Sequence, residues 1–203
     1  MKWFLDLKLG TKLISAFLVI AIIGAYVGYE GMTSLKESDD NDTIMYEQNV
    51  KMISAISDIR GNFQRQRVHL LELILAKTDN ERRELKKKIT ERTDEITKSY
   101  DEIEKKIQIS NVKDEYNTLI DIRKDFHSVM EKLQELAMNG KTNEALAYWK
   151  GEFDQSRTKY MNEQIKMDDL LVDRAGERNK LNSDLSDSSI MLMLYATIFS
   201  FLS

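Results

Sequence analysis

The sequence predicts an all-α protein, an up-down-up-down four-helix bundle flanked by two transmembrane helices, the second of them truncated. Three observations support this fold class. The 203 residues contain no proline, the strongest helix breaker. Apolar residues recur at helical spacing in four segments that are separated by three short breaks. Two uncharged apolar runs lie near the two ends of the chain.

The first apolar run covers residues 13–29. A helix of this length spans about 26 Å, close to the ~30 Å hydrocarbon core, and residues up to 32 can extend it. Residues 1–12 hold three lysines against one acid, which favours a cytoplasmic segment with Trp3 and Phe4 as interfacial anchors. We therefore expect a transmembrane helix at 13–32. The alternative is a cleaved signal peptide, although no clear A-x-A site follows the run.

The second apolar run, residues 188–203, is uncharged up to the last residue. A spanning helix needs about 20 residues and a charged flank. We therefore expect this run to be the start of a second transmembrane helix that is cut by the end of the sequence. Residues 33–187 would then form a domain outside the cytoplasm, and cytoplasmic signalling partners would be reached only through a part beyond residue 203.

Three short breaks divide the central segment. The first contains an S/T-x-x-E capping box, with Thr78 as N-cap and Glu81 at position N3. The other two offer a cap and a stop signal, at Ser110 or Asn111 and at Asn139-Gly140 followed by Thr142 or Asn143. The expected helices are roughly 33–77, 80–108, 112–138 and 142–187.

Each of the last three helices carries an apolar stripe that can face a common core. Loops this short make successive helices antiparallel, which gives the up-down-up-down bundle. The predicted core residues are Leu85, Ile89, Ile96, Tyr100, Ile103 and Ile107, then Tyr116, Leu119, Phe126, Met130, Leu133 and Ala137, and finally Leu146, Trp149, Phe153, Tyr160, Leu171, Leu181 and Leu185.

Helix one places arginines where a core residue is expected. Counting in sevens gives two seams, Tyr46, Ile53, Arg60, Arg67 and Ile74, and Asn49, Ile56, Phe63, Leu70 and Lys77. A buried guanidinium without a partner is costly, so these arginines need a carboxylate from another helix, such as Asp121, or an anionic ligand. The planar guanidinium suits a carboxylate because it donates two parallel hydrogen bonds. Arg65 lies close by on another face, and His69 follows one turn after it.

Helix four brings two aromatic residues to about the depth of Arg67. Tyr148 and Trp149 could line a ligand pocket, because each offers an aromatic surface with one polar tip. The alternative for Trp149 is ordinary packing in the core.

Several function classes find no support in the sequence. The chain has no cysteine and only two histidines, and the inward E-x-x-H pattern of di-iron bundles is absent. It has no glycine-rich phosphate loop and no plausible catalytic triad. The net charge of -4 is spread along the chain rather than gathered into a basic stripe. We expect no enzymatic activity, no cofactor, no metal and no nucleic-acid binding.

Some segments are characteristic in combination. They are the opening MKWFLDLKLGTKL, the GMTSL after the first apolar run, Tyr46 with Asn49, the TDNERRE turn and the segment LAMNGKTNEALAYW. With them, nearly the whole chain resembles the N-terminal part of bacterial methyl-accepting chemotaxis proteins with a four-helix-bundle sensor. One departure is that this family often has a proline shortly after the asparagine, where this chain reads Asn49-Val50-Lys51-Met52.

The resemblance also implies a ligand site. The run of residues 60–65 is similar to the arginine-bearing run of aspartate-type chemoreceptors, in which the ligand sits between the first helices of two subunits. This puts Arg60 and Arg65 on the ligand's carboxylates. A third arginine of that pattern would fall at His69.

The function that the resemblance implies is a chemoreceptor sensor in the bacterial inner membrane, acting as a homodimer with a periplasmic or extracellular domain. It would bind a small carboxylate or amino-acid-like ligand, through the candidate residues Arg60, Phe63, Arg65, Arg67, His69, Tyr148 and Trp149. A helix shift of ~1–2 Å would carry the signal across the membrane. The alternatives are the input domain of a sensor kinase or cyclase, and a protein-binding bundle without a small ligand.

Overall fold

The computed structural model describes residues 8–202, with side chains up to residue 199. The elements in this range are all helical, which confirms the all-α class and agrees with a four-helix bundle. In chain order they are α1 (Leu9–Met45), a π-helical turn (Tyr46–Val50), α2 (Lys51–Leu75), α3 (Asp79–Glu104), α4 (Ser110–Met138), α5 (Thr142–Tyr148), a second π-helical turn (Trp149–Phe153) and α6 (Asp154–Leu202).

These elements form two compact units. The bundle unit comprises Tyr46–Ala175, and the terminal unit comprises the described residues before 46 and after 175. Within the bundle unit, neighbouring helices run antiparallel. As the residue number rises along one helix, the number of its hydrogen-bond partner on the neighbouring helix falls. Hydrogen bonds connect α2, α3, α4 and α6 into a closed ring. Gln66–Thr93 and Gln48–Gln108 join α2 and the turn before it to α3 and the segment after it, and Arg123–Thr97 and Tyr116–Tyr100 join α4 to α3. Asn111–Arg174 joins α4 to α6, and Arg60–Asp168 joins α2 to α6.

Two of the three predicted breaks have the expected capping chemistry. The Thr78 side chain accepts a hydrogen bond from the Glu81 amide, and the Glu81 carboxylate accepts one from the Thr78 amide. After α4, the amide of Gly140 donates to Ala137 and that of Lys141 to Leu136, both at 3.0 Å. This pair of bonds, with Gly140 at a φ of 69°, is a Schellman motif.

The break between α3 and α4 differs from the prediction. Helix α4 begins at Ser110, but its N-cap is Ile109 and no side chain caps it. The Asn111 side chain instead accepts a hydrogen bond of 2.6 Å from Arg174 on α6. The expected cap is therefore wrong, because a side chain that has a tertiary partner is no longer available to the helix end.

Aromatic rings form the centre of the bundle core. The Phe63 ring meets the rings of Phe126 and Tyr160 edge-on, with centroids 5.3 and 5.2 Å away, and Phe126 stacks on Tyr160 at 5.2 Å. The predicted stripes of the second and third helices are buried or packed against this core, and so are Leu146, Trp149, Phe153, Tyr160 and Leu171. Leu181 is an exception, because its side chain is exposed.

The first seam predicted for helix one is confirmed at Ile74, which is buried, and at Ile53, which packs against the core, but not at its arginines. The other buried positions are Met52, Ile59, Gln66 and Leu73, together with Ile56, Phe63 and Leu70 of the second seam. Arg60 and Arg67 follow Ile59 and Gln66 directly, so they flank the core and are half-buried. The expectation that both arginines occupy core positions is therefore wrong.

In the terminal unit, α1 contacts the last part of α6. The hydroxyls of Ser34 and Ser189 lie 2.5 Å apart, and the Asn182 amide donates to Asp42 at 2.5 Å. Gly31 is buried, and a Cβ at this position would lie 2.8 Å from the terminal methyl of the flexible Met193 side chain.

One helix among residues 8–202 is long and apolar enough to cross a membrane. It begins at Leu9, and its most apolar window has a mean hydropathy of 1.9 with none of the window buried. The interfacial anchors expected at Trp3 and Phe4, most of the expected cytoplasmic segment 1–12 and the last side chains of the run 188–203 lie outside the described residues.

The Schellman motif gives a stability prediction. Gly140→Ala should lower the free energy of unfolding by about 1–2 kcal/mol, because a side chain disfavours the left-handed conformation. Gly151→Ala is the matched control within the bundle unit, since a Cβ there meets nothing within 4 Å. Chemical unfolding followed by circular dichroism compares the two, and equal stability for both variants would contradict the prediction.

Candidate functional site

Arg60 pairs with a carboxylate of the neighbouring helix. Its guanidinium donates a hydrogen bond of 2.8 Å to Asp168 on α6, and the two side chains are 33% and 18% exposed. The partner suggested by helix depth, Asp121, is wrong, because that carboxylate lies on the surface and pairs with Lys124 at 2.9 Å. Because Arg60 flanks the core and does not face it, its side chain points toward α6 and not toward α4.

Arg67 is linked to a second arginine, Arg157 of α6, by contacts through Gln64 and Met161. It lies one heptad after Arg60 and donates a hydrogen bond of 2.6 Å to Gln64, while its Nε atom is buried without a hydrogen-bond partner. Burial and the nearby charge of Arg157 on α6 lower the pKa of Arg67. Arg67 has no ion pair among the described residues, so its positive charge is only weakly compensated.

Arg157 is held in place by its own helix. Its guanidinium donates to Asp154 at 2.7 and 2.9 Å and lies 3.1 Å from the sulfur of Met161. One carboxylate therefore serves two guanidinium groups. A cation pair with a single nearby acid attracts anions, because desolvation strengthens the field of each charge. We call Arg67 and Arg157 the arginine pair.

Arg65 and His69 lie apart from the arginine pair. Arg65 is exposed, donates to Asn62 at 3.0 Å and lines a groove of about 370 Å³ between α2 and α3. It lies five positions after Arg60, which is a rotation of about 140° on a helix, so the two arginines point in different directions. The ring of His69 lies 3.0 Å from the carboxylate of Glu72. A single subunit therefore does not bring Arg60, Arg65 and His69 onto one ligand.

The aromatic candidates pack in or against the core. Phe63 is fully buried, and Trp149 stacks on Phe153 with the ring centroids 4.6 Å apart. The Tyr148 hydroxyl is buried near Glu152, and burial together with that carboxylate raises the pKa of Tyr148 to about 12. No hydrogen bond, ion pair or ring contact joins Tyr148 or Trp149 to the arginines among the described side chains. Their arrangement is that of structural residues.

Sequence reasoning missed Arg157 and Asp168. Both lie on α6 among many charged residues at similar spacing, so no local signal separates them from solvated side chains. A cross-helix pairing would have revealed them, but it requires the relative rotation of α2 and α6. Among the described residues, no cluster of three or more histidine, aspartate or glutamate side chains is suited to hold a metal ion.

The outer face of the bundle unit carries an uncharged stripe on α2 and the turn before it. The stripe follows a spacing of three and four residues over eight turns, and all of its members are exposed. Val68 and Leu75 are each 56% exposed. The stripe consists of Tyr46, Val50, Ser54, Ser57, Gly61, Gln64, Val68, Leu71 and Leu75. Gln64 belongs both to this stripe and to the surroundings of Arg67.

A protein-family model described as a four-helix-bundle sensory module for signal transduction matches residues 6–185. The chain belongs to this family. The match agrees with the resemblance to the N-terminal sensor region of methyl-accepting chemotaxis proteins. No curated protein and no solved structure matches the chain. The sensory module thus has a buried aromatic core, an arginine pair between α2 and α6, and an uncharged outer stripe.

The buried tyrosines of the sensory module predict alkaline unfolding. Burial raises the pKa of Tyr100, Tyr116 and Tyr160, and that of Tyr148 is raised to about 12. In the unfolded chain these phenols ionise near pH 10. Because their folded pKa values are higher, the stability they contribute is present below pH 10 and is lost as the pH rises above it.

The measurement is tyrosinate absorbance followed together with circular dichroism. We expect the four buried tyrosines to ionise only as helicity is lost, whereas a urea-unfolded sample should titrate near pH 10. Ionisation of all eight tyrosines near pH 10 in a chain that keeps its helicity would contradict this prediction.

Proposed function

We propose that this sensory module is the input region of a transmembrane chemoreceptor that binds a small anionic molecule outside the cytoplasm. The observation that carries the proposal is the arginine pair, in which the half-buried Arg67 lacks an ion pair among the described residues and is linked through Gln64 and Met161 to Arg157. A carboxylate placed between the two guanidinium groups would neutralise both and would satisfy the buried Nε atom of Arg67.

The surroundings suit a small carboxylate or an amino-acid-like ligand. Gln64 offers an amide beside Arg67, and Met161 offers an apolar surface beside Arg157. Arg60 lies one heptad away and is engaged with Asp168. An incoming carboxylate could compete with Asp168 for Arg60, so binding would change a contact between α2 and α6. In this proposal Phe63, Tyr148 and Trp149 support the site through the core and do not touch the ligand.

Membrane anchoring is part of the proposal. The apolar part of α1 exposes large side chains such as Ile14 and Phe17, which are 68% and 70% exposed. In water such a surface would be unfavourable, whereas in lipid it is matched by its surroundings. We place this helix across the bacterial inner membrane with the bundle outside the cytoplasm. A small shift of α6 relative to α2 would then be the transmitted signal.

Homodimerisation through the uncharged stripe on α2 completes the proposal. The stripe has the spacing of a coiled-coil seam and exposes Val68, Leu71 and Leu75 at one end. Ser54, Ser57 and Gly61 in its middle are small enough to let a second helix approach closely. Because Gln64 contacts Arg67, the ligand site would lie beside the interface with the second copy.

The ligand proposal predicts the effect of removing either arginine. Titration calorimetry of the full chain in nanodiscs with acetate, benzoate, aspartate and citrate tests direct binding. For a carboxylate that binds, Arg67→Gln or Arg157→Gln should weaken the affinity by about 10–100-fold, as expected for a hydrogen bond between charged groups. Arg92→Gln is the control, because this arginine pairs with Glu95 on α3 and should bind the ligand unchanged.

Unchanged affinity in both arginine variants would remove this site from the proposal. If none of the four carboxylates binds the folded chain, the ligand-free protein-binding bundle becomes the better interpretation.

The dimer proposal predicts a position-dependent effect of added charge. Ser57→Glu and Val68→Glu should each weaken dimerisation by at least about tenfold, because two like charges would meet in the seam. Ser128→Glu adds the same charge at an exposed serine of α4 and should leave the dimer intact. Analytical ultracentrifugation of the full chain in detergent measures the dissociation constants. Dimers of equal strength in all three variants would exclude the stripe as the interface.

A further inference from the structure

The interface between α4 and α6 is lined by three pairs of oppositely charged side chains and one hydrogen-bonded pair. Each pair joins a residue of α4 to a residue of α6 or of the π-helical turn before it, in antiparallel order, as interhelical pairs do along a coiled coil. The pairs are Lys132–Glu152 at 3.9 Å, Asp125–Lys159 at 4.0 Å, Glu115–Lys166 at 2.8 Å and Asn111–Arg174 at 2.6 Å.

One of these positions holds a carboxylate in excess. The ammonium of Lys166 lies 2.8 Å from Glu115 on α4 and 3.3 Å from Glu163 on its own helix. The two carboxyl groups therefore share one ammonium across the interface. Their side chains are only 15% and 14% exposed. With both carboxyls ionised, this cluster would carry a net charge of -1 in a largely dry interface.

Such an arrangement favours the binding of one proton. Two carboxylates that share one ammonium resist ionising together, and a proton on one of them lets it donate a hydrogen bond to the other. Lys166 can balance one negative charge but not two. The remaining acid therefore retains its proton more strongly than an isolated glutamate does.

Neighbouring charged groups do not relieve the excess acid. The next cross-helix ion pair along the α4–α6 interface, Asp125 and Lys159, is matched in charge. From α2, Arg60 is engaged with Asp168. From α3, the phenol of Tyr100 is hydrogen-bonded to Tyr160 and to Gln164, the residue after Glu163. The electrostatic effects on the two glutamates come from each other and from Lys166.

We propose that Glu115, Glu163 and Lys166 form a proton-binding site through which the sensory module responds to the acidity of its surroundings. With the proton bound, Glu163 donates to Glu115 and Lys166 neutralises the cluster, so α4 and α6 are held together. When the proton is lost, the two carboxylates repel each other and this contact loosens. Proton loss thus acts on α6, the helix that continues to Leu202.

The direction of the pH effect follows from the two titrations. The hydrogen bond with Glu115 and burial raise the pKa of Glu163, so the stability from this group is present at low pH and is lost as the pH rises through that value. Burial opposes ionisation of Glu115, but Glu163 and Lys166 outweigh it and lower the pKa of Glu115. The interface is tightest between these two pKa values, where one proton is bound.

The absence of cysteine makes the chain suitable for a direct test. Spin labels at cysteines introduced for Thr118 on α4 and Asn162 on α6, both exposed, report the distance between these helices in the full chain in nanodiscs. Carbon-13 labelling of glutamate carboxyls follows proton binding in the same pH series. We expect one carboxyl to titrate above the ordinary value of 4.5, together with a change in the distance distribution.

Three variants distinguish a proton site from a structural contact. Glu163→Gln keeps the hydrogen bond but cannot ionise, so it should abolish both the titration and the distance change. Lys166→Gln should move the step to higher pH, because the ammonium favours the ionised carboxylates. Asp125→Asn alters another pair of the same interface and should leave the step in place.

The proposal is overturned if no carboxyl of the unmodified chain titrates above 4.5, or if the distance change persists in Glu163→Gln. The outcome is independent of the arginine pair, whose occupancy is measured by calorimetry at a fixed pH.

Discussion

The burial of Phe63 fixes the rotation of α2, and most other features of the bundle depend on that rotation. Its ring meets Phe126 of α4 and Tyr160 of α6 at centroid distances of 5.3 and 5.2 Å. Since successive residues turn by about 100° around a helix, this contact also fixes every other direction on α2. Gln66 points inward to α3, Arg67 points toward α6 and Val68 points outward. The positions of the arginine pair and of the uncharged stripe thus both follow from the packing of Phe63.

The core that holds Phe63 is not purely apolar. Gln66 donates to Thr93 at 2.6 Å, and the hydroxyls of Tyr100 and Tyr160 lie 2.9 Å apart. Buried polar groups are costly unless they are hydrogen-bonded, so these partners allow only one register between the helices. Asn49 differs, because neither polar atom of its buried side chain has a hydrogen-bond partner at the first π-helical turn. Because the register is fixed, the helices cannot slide past each other to absorb a small change at one interface. The change alters the neighbouring contact instead.

The same reasoning explains which parts of the candidate site could be predicted. Arg60 was found from the sequence because heptad counting placed it in a core seam, and the structure places it at the α2–α6 interface. Its partner could not be found in this way, because helix depth pointed to Asp121, whereas the structure pairs Arg60 with Asp168. Arg157 and the pair of Glu115 and Glu163 gave no signal either. Each is one charged residue among many, and its role depends on the side chain that lies opposite it on the neighbouring helix.

The sequence by itself determined the four helices, two of their three breaks and the stripes of α3 and α4. These features rest on local hydrogen bonds and on periodicity, which are properties of short segments. On α2, apolar residues occupy several adjacent positions, so periodicity alone permits two rotations that differ by one residue. Only the tertiary structure decided between them, because the choice depends on the summed packing of Phe63, Met52 and Ile59 against three other helices.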